Sequence, residues 1–183
     1  MRRLGAILVL TGAMTVGGGG AAALGPGPQD DVPIAERLRV AWHGGKLLDR
    51  ATHHRQRARL DCGLAVALYV LDRFGTPQVR AVVASRLPRT KGGVRFADLA
   101  AVLRQYGIDG RLQQFASPPG RWPGPPAVLW LPPGHFVVLE DANFDSVVVF
   151  DPALGRVRFP AARFARRWTG AALCLSPPTG GES

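Results

Sequence analysis

The sequence predicts an α+β fold, an N-terminal helical part packed on a C-terminal antiparallel β-sheet. Residues 34–106 carry apolar positions at helical spacing, whereas residues 118–176 carry β-rich apolar runs cut by Pro and Gly. Helices first and strands afterwards argue against an alternating α/β order. A length of 183 residues with 46% apolar content suits one domain plus accessories and excludes a disordered chain.

The N-terminus, MRRLGAILVLTGAMTVGGGGAAALGPGPQDD, opens with Arg2 and Arg3 and continues uncharged from Leu4 to Pro28. Ala21, Ala22 and Ala23 offer a small-residue cleavage site, so residues 1–23 have the layout of a signal peptide or N-terminal anchor. The glycine run makes a poor permanent helix. The expectation is an exported protein, periplasmic or secreted, with its mature N-terminus between Gly20 and Pro28. No Cys ends the segment, so a lipid anchor is not supported. No later stretch reaches membrane length, which leaves an uncleaved N-terminus as the expected membrane contact.

Residues 24–50 read as a linker and a lead-in helix from Ile34 towards Leu48, with Ile34, Leu38, Val40, Ala41 and Leu47 on an imperfect stripe. Asp61 is then a plausible N-cap for a helix from Cys62 to Phe74, closed by Gly75 at C′. Two further helices are expected, near Gln78–Leu87 and Arg95–Tyr106. The second has Phe96, Leu99, Val102 and Leu103 on one face and ends at Gly107. Strands follow, the last in GAALCLSP. The main domain is expected over residues 51–177, with 178–183 a flexible tail. Neither an internal repeat nor a phosphate-binding G-x-x-x-x-G-K-[ST] loop is present.

The net charge of +10 rests almost entirely on arginine; loss of Arg2 and Arg3 lowers it by two, to +8. The arginines are scattered, without a basic run or a nucleic-acid-binding motif, so nucleic acid is not an expected partner.

The chemistry centres on Cys62. At a helix start, the unpaired backbone N–H groups and the macrodipole favour thiolate over thiol. Taken alone, the residue reads more readily as a small buried apolar side chain. A base is available in His135, at the start of the strand in PPGHFVVLED, and a carboxylate in Asp151, at the end of SVVVFDP. A hairpin with the loop Asp141–Asp145 sets Glu140 opposite Ser146, and hence Val137 opposite Val149, Leu139 opposite Val147 and His135 opposite Asp151. Both faces of that hairpin are apolar, so both must be covered. A carboxylate there can hold the imidazole tautomer and leave the other nitrogen for a nucleophile. Asp151-Pro152 alone reads as a turn starter. Gln56, six residues before Cys62, could donate its amide N–H to an oxyanion together with the Cys62 N–H. His53 and His54 read as a solvated lead-in to Gln56, and His43 is the remaining histidine.

QRARLDCGLA, GHFVVL, DPALG and RFARRWTGAALCL together resemble the C39 family of cysteine peptidases, over about Arg55 to Pro177. The segment KGGVRFADLAAVLRQYGI resembles the family's middle helix. The resemblance implies a papain-like fold and cleavage of a peptide bond, in the family's best-known members after a Gly-Gly pair of an exported leader. It implies Cys62 as nucleophile, His135 as general base and acid, Asp151 as the His-orienting residue and Gln56 as the oxyanion donor. A peptide or protein substrate is implied, with secretion machinery or a transporter acting in trans, because this chain lacks the transporter's multi-span and nucleotide-binding parts. No cofactor and no metal is expected.

The same atoms allow other readings. Cys62, His135, Asp151 and Cys174 are acceptable zinc ligand types but lack a close ligand pair. A Cys62–Cys174 disulfide suits an oxidising compartment but consumes the helix-end thiol; Cys174 reads more simply as strand packing. An exported NlpC/P60-like or transglutaminase-like acyl-transfer enzyme uses similar groups, and a non-catalytic peptide-binding module is the third class. The Gly17–Gly20 run suggests self-cleavage less readily than a glycine-rich signal region.

Overall fold

The computed structural model describes residues 34–42, 44–49, 54–58, 60–88, 90, 93–116 and 120–176. The signal segment, the Gly25–Pro33 spacer, His43, His53 and the 178–183 tail lie outside the described residues. The elements are α1 (Ile34–Trp42), β1 (Lys46–Asp49), α2 (Cys62–Arg73), α3 (Arg80–Arg86), α4 (Phe96–Arg104), β2 (Asp109–Gln114), β3 (Ala127–Leu131), β4 (His135–Ala142), β5 (Ser146–Asp151), β6 (Gly155–Pro160), α5 (Ala161–Ala165) and β7 (Ala171–Ser176).

The seven strands form one antiparallel sheet in the order β1-β6-β5-β4-β3-β7-β2. Strand side chains alternate between faces, and here both faces are apolar. Phe136, Val138 and Phe150 pack with α2 and α4 on one side. Val137, Leu139, Val147 and Val149 pack with Val40 of α1 and Phe164 of α5 on the other. The expected cover on both faces is therefore present, and the fold is α+β. The helical and strand parts are less cleanly separated than the sequence suggested: β1 and β2 come from the N-terminal, helix-rich part and form the two sheet edges.

The helix α2 is buried from Cys62 to Leu71, which explains its apolar run without polar interruption. It ends as expected. Gly75 adopts φ +72°, its N–H donates to Asp72 O at 3.0 Å, and Thr76 N–H donates to Leu71 O at 2.9 Å, the double closure of a left-handed glycine cap. Its start differs from expectation. Asp61 occupies the N-cap position but makes no capping bond; its Oδ2 accepts from Arg80 Nη1 at 3.0 Å instead. An arginine outcompetes a backbone N–H for the carboxylate because both partners are charged.

The lead-in helix also stops short. It ends at Trp42, and Leu47 and Leu48 belong to β1. Gly44 adopts φ +66°, which breaks the helix, and a Cβ at Gly45 would stand 2.5 Å from the Phe159 ring, so only glycine passes there. The helices α3 and α4 lie within their expected spans. Gly107, at φ +80°, follows α4, and at its start Asp98 Oδ2 accepts both the Arg95 backbone N–H at 3.1 Å and Arg95 Nε at 3.0 Å.

Ion pairs tie β1 to the centre. Arg156 donates to Asp49 Oδ2 at 2.7 Å and to Glu140 Oε2 at 2.7 Å, and Tyr69 of α2 donates to the same Glu140. His54 is not a solvated lead-in residue: its Nε2 lies 3.2 Å from Asp72 Oδ2 and its ring stands edge-on to Tyr69.

Candidate active site

Three backbone features bring the functional side chains to one end of the sheet. The turn Pro132–Gly134 joins β3 to β4, with Leu131 paired to His135 and Gly134 at φ +124°, a conformation that favours glycine. The turn Pro152–Leu154 joins β5 to β6, with Asp151 paired to Gly155. The loop before α2 carries Gln56 and delivers Cys62 at the helix start.

The hairpin register corrects the sequence reading. Val138 pairs with Phe150 and Leu139 with Val149, and beyond a bulge at Glu140, Asp141 pairs with Val148 and Ala142 with Val147. Glu140 thus does not face Ser146, nor does Val137 face Val149 or Leu139 face Val147. Extending the pairing to the strand end sets Asp151 opposite Val137, so His135 and Asp151 are not direct cross-strand neighbours. The cause is a tighter turn. Asn143 Oδ1 accepts from Asp145 N–H at 2.9 Å and Ser146 N–H at 2.8 Å, leaving a loop of residues 143–145, and the bulge absorbs the odd residue. A displacement of two residues keeps a side chain on its face. His135 and Asp151 therefore meet on the diagonal: Nε2 lies 2.9 Å from Asp151 Oδ1.

Asp151 is buried and also receives the Ala153 N–H at 2.8 Å, so the turn and the imidazole share one carboxylate. Burial pushes its pKa up, but the His135 contact and the Ala153 and Leu154 N–H groups outweigh this and hold it below the usual carboxylate value. With Nε2 on Asp151, Nδ1 is the nitrogen left to face the other way. Cys62 is close enough to His135 for each to shift the other's pKa.

α2 packs against the sheet face opposite His135 and Asp151, and Cys62 reaches the imidazole around the end of β4, beside the Phe136 backbone. Burial pushes the Cys62 thiol up, yet the His135 hydrogen bond and charge, with the Phe136 and Gly63 N–H groups, bring it net below its ordinary value of 9.0. Burial opposes a charge on His135 too, but Asp151 on one side and Cys62 on the other raise it to about 10. Opposite shifts in neighbouring groups favour the thiolate–imidazolium pair over the neutral one. Gly63 lets Val94 pack against the start of α2, since a Cβ there would stand 2.7 Å from Val94 Cβ.

Gln56 lines the same cleft as His135 and Asp151, a space of about 330 Å³ bounded also by Val40, Leu60, Leu131, Pro132, Pro133, Gly134, Ala153, Leu154 and Arg167. Its backbone N–H is held by Pro152 O at 3.0 Å, while its buried Oε1 has no hydrogen-bond partner. Three of the four residues picked from the sequence, Gln56, His135 and Asp151, therefore border one cleft, and the fourth, Cys62, is the buried neighbour of His135. Sequence reasoning missed what holds Gln56. Arg80 Nη2 donates to Arg55 O at 2.6 Å while Nη1 holds Asp61, so one guanidinium fixes both ends of the 55–61 loop. Arg55 in turn donates to Ala153 O. Nothing in the pattern around Arg80 signals this, because the contact spans about twenty residues. The other cysteine, Cys174, sits in β7, and both cysteines are free. Among the described residues no cluster of His, Cys, Asp and Glu could hold a metal.

Solved structures share this architecture. The chain is 24% identical, at a TM-score of 0.60, to the crystal structure of a double glycine motif protease from an AMS/PCAT transporter in complex with the leader peptide, over 67% of this chain and 89% of that one. It is 21% identical, at a TM-score of 0.58, to the peptidase domain of Streptococcus ComA, a bifunctional ABC transporter involved in a quorum sensing pathway, over 67% of this chain and 96% of that one. A third, the N-terminal peptidase C39-like domain of the toxin secretion ATP-binding protein from Vibrio parahaemolyticus, is 19% identical at a TM-score of 0.56, over 66% and 99%. The fold is thus that of C39 peptidase domains. The Peptidase C39 family model matches residues 50–180, and the chain belongs to that family. Among curated proteins, none matches.

Proposed function

We propose that this C39 family member is a cysteine peptidase that cleaves a peptide bond by acyl transfer. The Cys62 thiolate attacks the carbonyl, and the developing oxyanion is held by the Gln56 amide and the Cys62 N–H. His135 protonates the leaving amine from Nδ1 and then activates water to release the thioester, with Asp151 holding Nε2 throughout. The observation that supports this best is the row Cys62–His135–Asp151, in which Asp151 holds the imidazole at 2.9 Å and the neighbouring thiol is lowered while the imidazole is raised to about 10. Gln56 lines the cleft beside His135 and Asp151, which fits an amide N–H available to the oxyanion. Substrates are peptides with small residues before the scissile bond, by analogy with the double glycine motif of the leader-bound structure, and transport machinery acts in trans.

The protein works outside the cytoplasm, after export directed by residues 1–23. Fractionation with N-terminal sequencing should find a chain starting between about Gly20 and Pro28; intact Met1 protein in the soluble cytoplasmic fraction removes that part of the reading. For the chemistry, a Gly-Gly-containing peptide incubated under reducing conditions should yield a new C-terminus by mass spectrometry, and Cys62→Ala should not yield it. Tight binding without turnover replaces the peptidase with a binding module.

A further inference from the structure

The outer side of α1 is apolar and bare. Ile34, Leu38 and Trp42 are 73%, 64% and 82% exposed, and their spacing of four puts them in one stripe along the helix. Val40 projects from the opposite side, is buried, and lines the cleft with His135 and Leu154. Other exposed large apolar residues among those described, such as Val79, Leu112 and Phe144, are dispersed in sequence, and single ones need no explanation. A three-residue stripe ending in a tryptophan does.

We propose that α1 is an interfacial helix whose Ile34–Leu38–Trp42 stripe lies on an anionic lipid surface, with the catalytic cleft along its inner side. The preceding chain argues for lipid as the occupant. The uncharged stretch Leu4–Pro28 ends five residues before Ile34, and a five-residue tether spans at most about 17 Å. Trp is the side chain suited to the boundary between headgroups and acyl chains.

Charge agrees. Exposed Arg163 donates to Trp42 O at 3.3 Å, which puts a cation at the end of the stripe, and it has no carboxylate partner among the described residues. Asp30 and Asp31 in the tether oppose binding, but the full chain carries +10. One short helix binds lipid weakly by itself; in the form that keeps its apolar N-terminal stretch it is the second of two signals, and after cleavage it is the one that remains. Membrane contact then extends beyond the N-terminal segment expected from the sequence, and it does so whether or not the catalytic assignments hold.

The test uses the full chain bound to phosphatidylglycerol vesicles containing brominated lipid. The Trp42 signal is isolated as the difference between the wild-type protein and Trp42→Phe. More than half of that signal should be quenched, and its access to aqueous acrylamide should fall in parallel. Quenching should drop at least twofold in phosphatidylcholine, at high salt, or with Arg163→Glu. Ile34→Ser with Leu38→Ser, in a chain that keeps Trp42, should reduce it similarly and covers the case in which Trp42→Phe does not fold. A Trp42 signal that stays open to acrylamide and blind to bromine overturns the proposal. Shielding from both, together with concentration-dependent dimerisation, overturns it in favour of a second copy of the chain.

Discussion

Cys62 and Cys174 are the same side chain in two settings. Cys174 sits mid-strand in β7, paired with Arg111 and Ala127, and burial alone pushes its thiol up. Cys62 is buried as well and is pushed up for the same reason, yet it ends below the ordinary value because His135 and two backbone N–H groups stabilise the thiolate. Burial silences a thiol; a cationic partner at a helix start overrides the burial. The difference lies in the neighbours, and each neighbour can be removed in turn.

Removing the thiol itself has the largest effect. Cys62→Ala is expected to bring hydrolysis below detection while leaving circular dichroism and peptide affinity unchanged, whereas Cys174→Ala should leave turnover within about twofold. If Cys62→Ala still cleaves, the comparison collapses. Alkylation reads the two sites directly. Iodoacetamide at neutral pH should label Cys62 about 10²-fold faster than Cys174 by mass mapping, and equal slow labelling of both would remove the argument for a nucleophile.

The next effect separates the partner from the helix end. With the Cys62 pKa lowered and the His135 pKa raised to about 10, the ion pair exists between the two values. Reactivity should rise with pH as Cys62 ionises and fall as His135 loses its proton near about 10. Asp151→Asn removes the charge that raises His135, so the alkaline limb moves down, the acid limb moves up, and kcat drops about 10²-fold. An unchanged window would mean that the helix end alone controls Cys62.

The smallest effect belongs to Arg80. Arg80→Ala should lower kcat about tenfold with KM little changed, through a loosened Gln56. In a Gln56→Ala background it should add nothing, and the Cys62 alkylation rate should stay at the wild-type value in both. Additive losses, or slowed alkylation, would make Arg80 a general support of the fold instead of a positioning residue for Gln56.

The parts legible in the sequence were those with local causes. The glycine that closes α2, the period of α4 and the apolar strand runs all follow from neighbours a few residues away, and α2, α3 and α4 landed within a turn of their expected ends. The parity of the β4–β5 hairpin was also readable, because alternation is local, and parity sufficed to put His135 and Asp151 on one face. The exact register was not. It depends on Asn143 closing a tighter turn and on a bulge at Glu140, and an Asn-Phe-Asp tip allows either loop length. Asp61 went the same way: its cap preference is local, but the arginine that claims it arrives from another helix. β1 was read as helix because Leu47 fits both periods, and its strand character comes from β6, over a hundred residues away.

That edge strand bears on how the protein can be cut. The family match begins at residue 50, one residue beyond β1, whose Lys46 and Leu47 pair with Arg158 and Val157. A chain trimmed to the matched span would strip β6 of its outer neighbour and bare a row of backbone donors and acceptors, with Val157 and Phe159 uncovered beside it. Such a row is a template for another chain's strand. The fifteen or so residues ahead of the family boundary thus act as a built-in stopper against end-to-end polymerisation, and the shortest soluble form of this protein should start well before its family does.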